Sequence, residues 1–170
     1  MIDHLPDRLD LLATAGAGRV LRGAIALASL ERVLPALVAQ DGELQVVMEL
    51  GRDPDGTHYL AGTIRGAVRL RCQRCLEAMR LPLDLEFRLG LVQNQVAAGQ
   101  LPECYEPLLV TAEPALIADI VSDEVLLALP IVPLHDDRAE CGELMKEYQS
   151  SDGLQRENPF AVLAELKQKH

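Results

Sequence analysis

Between residues 43 and 92 the apolar side chains keep a period of two. Leu44, Val46, Met48 and Leu50 alternate with Glu43, Gln45 and Glu49, and Leu60, Ile64, Val68 and Leu70 hold even positions with Thr63, Arg65, Arg69 and Arg71 between them. After a short break the phase changes: Leu81, Leu83, Leu85, Phe87, Leu89 and Leu91 are odd, and Arg80, Asp84, Glu86 and Arg88 point the other way. Such alternation marks strands with one buried and one wet face, and a phase change across a short break marks a turn. The stretch Arg52-Asp53-Pro54-Asp55-Gly56 supplies the first turn and L-R-C-Q-R-C-L, at 70 to 76, the second. The pattern predicts a three-stranded antiparallel meander with an arginine face opposite an aliphatic face. A Cys-x-x-Cys sits at the tip of its second hairpin.

The flanks are less regular. The polar segment up to Thr14 and the link Ala15 to Gly18 read as an edge or linker, and Val20 to Leu27 reads as a strand. Ser29, followed by Leu30, Val33, Leu34, Leu37 and Val38, predicts a short N-capped helix near residues 29 to 38. Asn94 to Gly99 reads as a loop or one helical turn, and Tyr105 to Val110 as a returning strand. Glu113-Pro114 opens a helix near 115 to 128, with Leu116, Ile117, Ile120, Val121 and Leu127 on one side and Asp119, Ser122 and Asp123 on the other. Pro130 stops it. Residues 135 to 158 hold seven acids and read as a mobile acidic loop, after which Asn158-Pro159 caps an amphipathic helix near 159 to 168. Its Phe160, Leu163 and Leu166 call for a surface to dock on. The expectation is a single α+β domain over residues 1 to 170, an antiparallel meander, open or barrel-like, with short helices around it.

Composition sharpens this picture. At 170 residues and 49% hydrophobic the chain can bury the core of one domain, and with no Trp and only Phe87 and Phe160 as Phe, that core is aliphatic. The run Val125 to Leu134 contains Pro130 and Pro133 and falls short of the roughly 20 apolar residues a membrane helix needs. Asp3, Asp7 and Asp10 give the N-terminus none of the basic character of a signal peptide, so a cytoplasmic protein with reduced cysteines is expected. The net charge is −10, yet it is unevenly placed: from residue 101 onward there are 14 acids and 5 bases, whereas between Leu60 and Pro82 there are five arginines and only Glu77 against them. A basic hairpin end belongs to an acidic protein.

Two kinds of chemistry meet at that hairpin. Cys72 and Cys75 form a zinc half-site, and His135 with Cys141 would complete a tetrahedral Cys3His set, because zinc favours thiolate and imidazole ligands. The alternative is two reduced thiols in a tight turn and a surface histidine. Thioredoxin-like redox chemistry wants the first cysteine at a helix N-terminus, and here the motif joins two strands. Cys104 stands alone and is expected to be a semi-buried structural thiol. Arg65, Arg69, Arg71, Arg74 and Arg80 form a candidate RNA surface, since guanidinium pairs with phosphate and stacks on bases. The bland alternative is a solvated strand face paired with Asp84 and Glu86. Deaminase, zincin, nucleophile-elbow and P-loop motifs are absent, and Asp119, Asp123 and Glu124 read as a solvated helix face, so no enzyme is expected.

L-R-C-Q-R-C-L at 70 to 76, L-P-E-C-Y-E-P at 101 to 107, the run from Asp119 to Asp136 and N-P-F-A-V-L-A-E-L-K at 158 to 167 occur in this order. Together they resemble the YceD family, the large ribosomal RNA subunit accumulation proteins, over about residues 60 to 170. The resemblance implies a bacterial cytoplasmic or plastid protein with a role in the accumulation or processing of large-subunit (23S) ribosomal RNA, that is, in ribosome biogenesis. Two molecular roles fit it: contact with that RNA or its precursor through the arginine hairpin, or an acidic module that escorts a basic ribosomal protein without touching RNA.

Overall fold

In the computed structural model, which describes residues 2–142, the chain forms β1 (Ile2–His4), β2 (Arg8–Leu9), α1 (Leu11–Gly16), β3 (Arg19–Ala26), β4 (Glu43–Arg52), β5 (His58–Arg71), β6 (Ala78–Val92), α2 (Gln95–Ala98), β7 (Glu106–Leu109), β8 (Ala115–Leu116) and α3 (Ile117–Ala128). The meander expected from the alternation is the centre of a six-stranded sheet in the order β1-β3-β4-β5-β6-β7. Strands β3 to β6 pair antiparallel, while β1 joins β3 and β7 joins β6 in parallel. The sheet is open, ending at β1 and β7, and does not close into a barrel. Strands β2 and β8 form a separate two-stranded antiparallel ribbon.

Register explains the faces. Leu50 lies opposite Leu60 and Leu60 opposite Leu89; Val46 lies opposite Ile64 and Ile64 opposite Leu85. Residues opposite one another share a face, so these rows form one apolar surface. Leu44, Met48, Leu60 and Ile64 on it are fully buried, beneath Leu11 and Ala15 of α1 and Ile117, Val121 and Val125 of α3. Each fully buried leucine contributes roughly 1.5–3 kcal/mol to this two-layer core. The opposite face carries Arg65, Arg69 and Arg71 from β5 and Arg80, Asp84, Glu86 and Arg88 from β6, all exposed.

The helix expected near 29 to 38 is instead a pair of 3-10 turns, Leu27–Ser29 and Leu34–Ala36. Leu30 leaves the helical region with a ψ of 67°, which ends the first turn, and Pro35, with no N–H to donate back along a helix begun at Ser29, sits instead in the first turn of the second piece. Ser29 does not cap a helix; its Oγ donates to the Ala26 carbonyl at 2.7 Å. Leu30 and Val33 are buried all the same. The N-terminal stretch holds more structure than an edge or linker. Its β1 is indeed a sheet edge, but α1 follows, N-capped by Asp10, whose Oδ1 accepts from the Ala13 N–H at 2.9 Å. Helix α3 begins two residues later than expected because Ala115 and Leu116 pair with β2. Among the described residues no helix is long and apolar enough to cross a membrane. Of the expected acidic loop, residues 135–142 are described and contain a 3-10 turn, Arg138–Glu140; the remainder, and the helix expected near 159 to 168, lie outside the described residues.

Candidate metal centre and the arginine hairpin

The turn between β5 and β6 folds back on itself. The Cys72 N–H donates to the Glu77 carbonyl and the Leu76 N–H to the Cys72 carbonyl, both at 2.9 Å. Leu76 takes a φ of 64°, a left-handed conformation that a leucine seldom adopts, and its side chain is exposed. That tight path leaves both cysteines facing inward, Cys72 at 0% and Cys75 at 5% exposure. A third backbone bond, from Gln73 N–H to the Pro133 carbonyl at 2.8 Å, ties the tip to the segment after α3 and delivers His135. Asp137 then caps the Arg138–Glu140 turn through its Oδ1, and the chain enters the cluster again at the buried Cys141.

The ligand atoms of Cys72, Cys75, His135 and Cys141 lie within 4.8 Å of one another. Cys75 Sγ is 3.4 Å and Cys141 Sγ 3.7 Å from His135 Nδ1. Zinc–sulfur bonds of about 2.3 Å and zinc–nitrogen bonds of about 2.0–2.1 Å at tetrahedral angles place ligand atoms about 3.6–3.8 Å apart, so the cluster is close to the dimensions of a zinc site. Three sulfurs and an imidazole form a soft donor set, and four protein ligands leave no coordination position open, as in structural rather than catalytic zinc sites. The four residues singled out in the sequence are thus brought together, close enough to hold a metal ion.

Electrostatics at the cluster are divided. Burial raises the Cys72 thiol, but the backbone N–H groups of Cys75, His135 and Arg74 directed at it outweigh burial, and its pKa falls to about 6. Cys141 goes the other way, raised by burial and by Cys75, with the Arg74 side chain opposing. Cys104 is not the semi-buried thiol expected: it is exposed, on a turn closed by the Tyr105 N–H to the Pro102 carbonyl at 3.0 Å, and takes no part in the cluster.

The five arginines do not form one uniform patch. Arg65 Nε meets Asp84 Oδ1 at 2.8 Å with both side chains largely exposed, and Arg69 pairs with Asp41 rather than with Glu86. Exposed pairs of this kind contribute about 0–1 kcal/mol. Arg71 and Arg80 are exposed and make no ion pair among the described residues. Arg80 lies directly opposite Arg69, and Arg71 opposite Ala78, so all three share the end of the open face nearest the cysteines. Arg74 alone is half-buried, its Nη1 donating to Cys141 Sγ at 3.8 Å. Of the acidic residues on α3, Asp119 is exposed, Asp123 pairs with Arg32 at 2.5 Å, and the Glu124 carboxyl is raised by burial and then by Glu106 and Asp123.

The profile of the family described as "Large ribosomal RNA subunit accumulation protein YceD" matches residues 60–167, a span that includes all four cluster residues and the hairpin arginines. A Haemophilus influenzae protein named "Large ribosomal RNA subunit accumulation protein YceD" is 38% identical over 172 residues, covering 97% of each chain. No solved structure matches the chain. With a profile match over more than half of its length and a relative aligned almost end to end, the chain belongs to the YceD family.

Proposed function

We propose that this chain supports accumulation of large-subunit ribosomal RNA by binding that RNA or its precursor through the β5–β6 hairpin, whose tip is fixed by zinc on Cys72, Cys75, His135 and Cys141. The observation that carries the reading is the pair Arg71 and Arg80, exposed at one end of an open sheet face with no internal ion pair among the described residues. Arg65 and Arg69 stand beside them in exposed pairs weak enough for phosphate to displace. Zinc would hold the two strands and the segment after α3 in one arrangement, so the surface is preorganised before RNA arrives. A closed four-ligand centre suits a binding protein rather than an enzyme, working in the bacterial cytoplasm.

A second reading is favoured by charge. The net charge is −10, and the acids concentrate beyond residue 101, which suits an escort for a basic ribosomal protein. Crosslinking in cells, with sequencing of bound RNA and identification of bound proteins, separates the two. Binding to large-subunit RNA that is abolished in the Arg71→Glu, Arg80→Glu variant supports the first reading; wild-type RNA binding by that variant, or crosslinks to ribosomal protein alone, overturns it in favour of the escort.

A further inference from the structure

The hairpin arginines point in two directions. Arg65, Arg69, Arg71 and Arg80 are exposed, whereas Arg74, between the two cysteines, turns inward. Its backbone N–H lies 3.4 Å from Cys72 Sγ, and its Nη1 lies 3.8 Å from the sulfur of Cys141, 67 residues further along the chain. We propose that Arg74 is the charge-balancing residue of the metal centre, positioning Cys141 as a ligand, and that it is not part of the RNA-binding surface. This inference rests on the zinc reading above.

Zinc with three thiolates and a neutral imidazole carries a net charge of about −1, from one divalent cation and three thiolate ligands. The sulfurs here are buried, where a net charge is poorly solvated and calls for a counter-charge. Among the described residues, the cation in contact with a ligand sulfur is Arg74. On the side of Cys141 formed by Gly142 the neighbouring charged group is the exposed Glu77, whose Oε1 would lie 2.2 Å from a Cβ at Gly142, so that side supplies no cation. A guanidinium suits this place because it stays charged, is weakly hydrated and donates in a plane. It also links the hairpin tip to the returning chain at Cys141, so it acts on the ligand that comes from furthest along the sequence. Partners outside the ligand shell commonly change metal affinity by 10–100-fold.

The test uses the full chain loaded with zinc and compares Arg74→Gln and Arg74→Met, which remove the charge, with Arg74→Lys, which keeps it, and with Arg71→Gln as a surface control. Zinc affinity is read by competition with a chromophoric chelator, and alkylation by iodoacetamide is read thiol by thiol by mass spectrometry. The exposed Cys104 serves as an internal standard. Arg74→Gln and Arg74→Met should bind zinc about 10–100-fold more weakly. They should also expose Cys141 to faster alkylation while Cys104 reacts as in wild type. Arg74→Lys should recover part of the affinity, and RNA binding should suffer less from Arg74→Gln than from Arg71→Gln. Circular dichroism checks folding; should the Gln variant not fold, the Met variant, which keeps the apolar stem, decides. Wild-type zinc affinity in both neutral variants, or, with every variant kept saturated with zinc, an RNA defect in them as large as that of Arg71→Gln, overturns the role of Arg74 and leaves the metal centre standing. A wild-type chain that binds no zinc overturns the metal reading and, with it, this one.

Discussion

Cys75 and His135 are 60 residues apart in the chain, yet Cys75 Sγ approaches His135 Nδ1 to 3.4 Å. The contact joins the tip of the β5–β6 hairpin to the segment after α3, so the sheet and the helix layer meet at one end of the molecule. A metal held there closes a long loop, and its binding free energy becomes folding free energy because the unfolded chain offers no preformed site.

The purified protein should therefore contain about one equivalent of zinc, and Cys72→Ser with Cys75→Ser should lose it. A ligand present at 100 times its dissociation constant stabilises a fold by about 2.7 kcal/mol, so chelation should lower the melting temperature by several degrees. Elemental analysis and thermal melts with and without chelator check this. Metal-free protein with an unchanged melt would leave the cysteines as plain reduced thiols.

Gly62 allows a second prediction, about the sheet itself. A Cβ at this position would lie 2.4 Å from Phe87 Cζ and 2.8 Å from the Val47 carbonyl oxygen. The phenyl ring can move, but the Val47 backbone in the centre of the sheet cannot easily do so. Gly62→Ala should cost about 1–3 kcal/mol in a denaturant melt, the usual penalty of overpacking. Adding Phe87→Leu should recover only part of the loss, since the backbone contact remains. A Gly62→Ala protein as stable as wild type would show that β4 shifts freely.

The central strands were legible because their alternation is local: Leu60 and Arg65 declare their faces through spacing alone. After Ser29 the apolar spacing suits a helix, but the break at Leu30 and the missing N–H of Pro35 divide the run into two 3-10 turns, which bury Leu30 and Val33 without a helix. The strand β7 is visible as an apolar stretch, but the parallel direction in which β1 joins β3 and β7 joins β6 is set by how the intervening segments cross over, which no alternation pattern reports. At the site, ligand chemistry was enough to select Cys72, Cys75, His135 and Cys141. Residue type could not tell Arg71 from Arg74. Only the backbone path through the turn, with Leu76 left-handed, sends one guanidinium outward and the other to Cys141.

Removing the metal should uncover a pH dependence. In the metal-free chain the Cys72 pKa of about 6 lies below the ordinary thiol value of 9.0. Between those values the unfolded chain binds more protons than the folded one, so stability rises with pH. This contribution is fully present above about pH 9 and is lost as the pH falls through about 6. Denaturant melts of chelated protein across that range should show the rise, and Cys72→Ser should flatten it. A flat profile in the chelated wild type would mean that the N–H groups of Cys75, His135 and Arg74 do not hold a thiolate there.

RNA binding through the hairpin should carry an electrostatic signature that separates it from binding by shape or by apolar contact. Each phosphate neutralised by an arginine releases condensed counterions, so the logarithm of the binding constant falls linearly with the logarithm of salt concentration, by about 0.7 per contact on single strands and 0.9 on duplex. Arg71 and Arg80 have no internal partner among the described residues, so phosphate need not first displace a carboxylate. Replacing both with Gln should weaken binding to large-subunit RNA and reduce the magnitude of the salt slope by about 1.4–1.8, two contacts' worth. Arg65→Gln should change it less, because Asp84 already occupies that guanidinium. Folding stability should hardly move, since these charges are exposed. A double variant that keeps both the affinity and the salt slope of wild type would place the RNA elsewhere or remove it altogether, and the acidic half of the chain would then be the surface to test against basic ribosomal proteins.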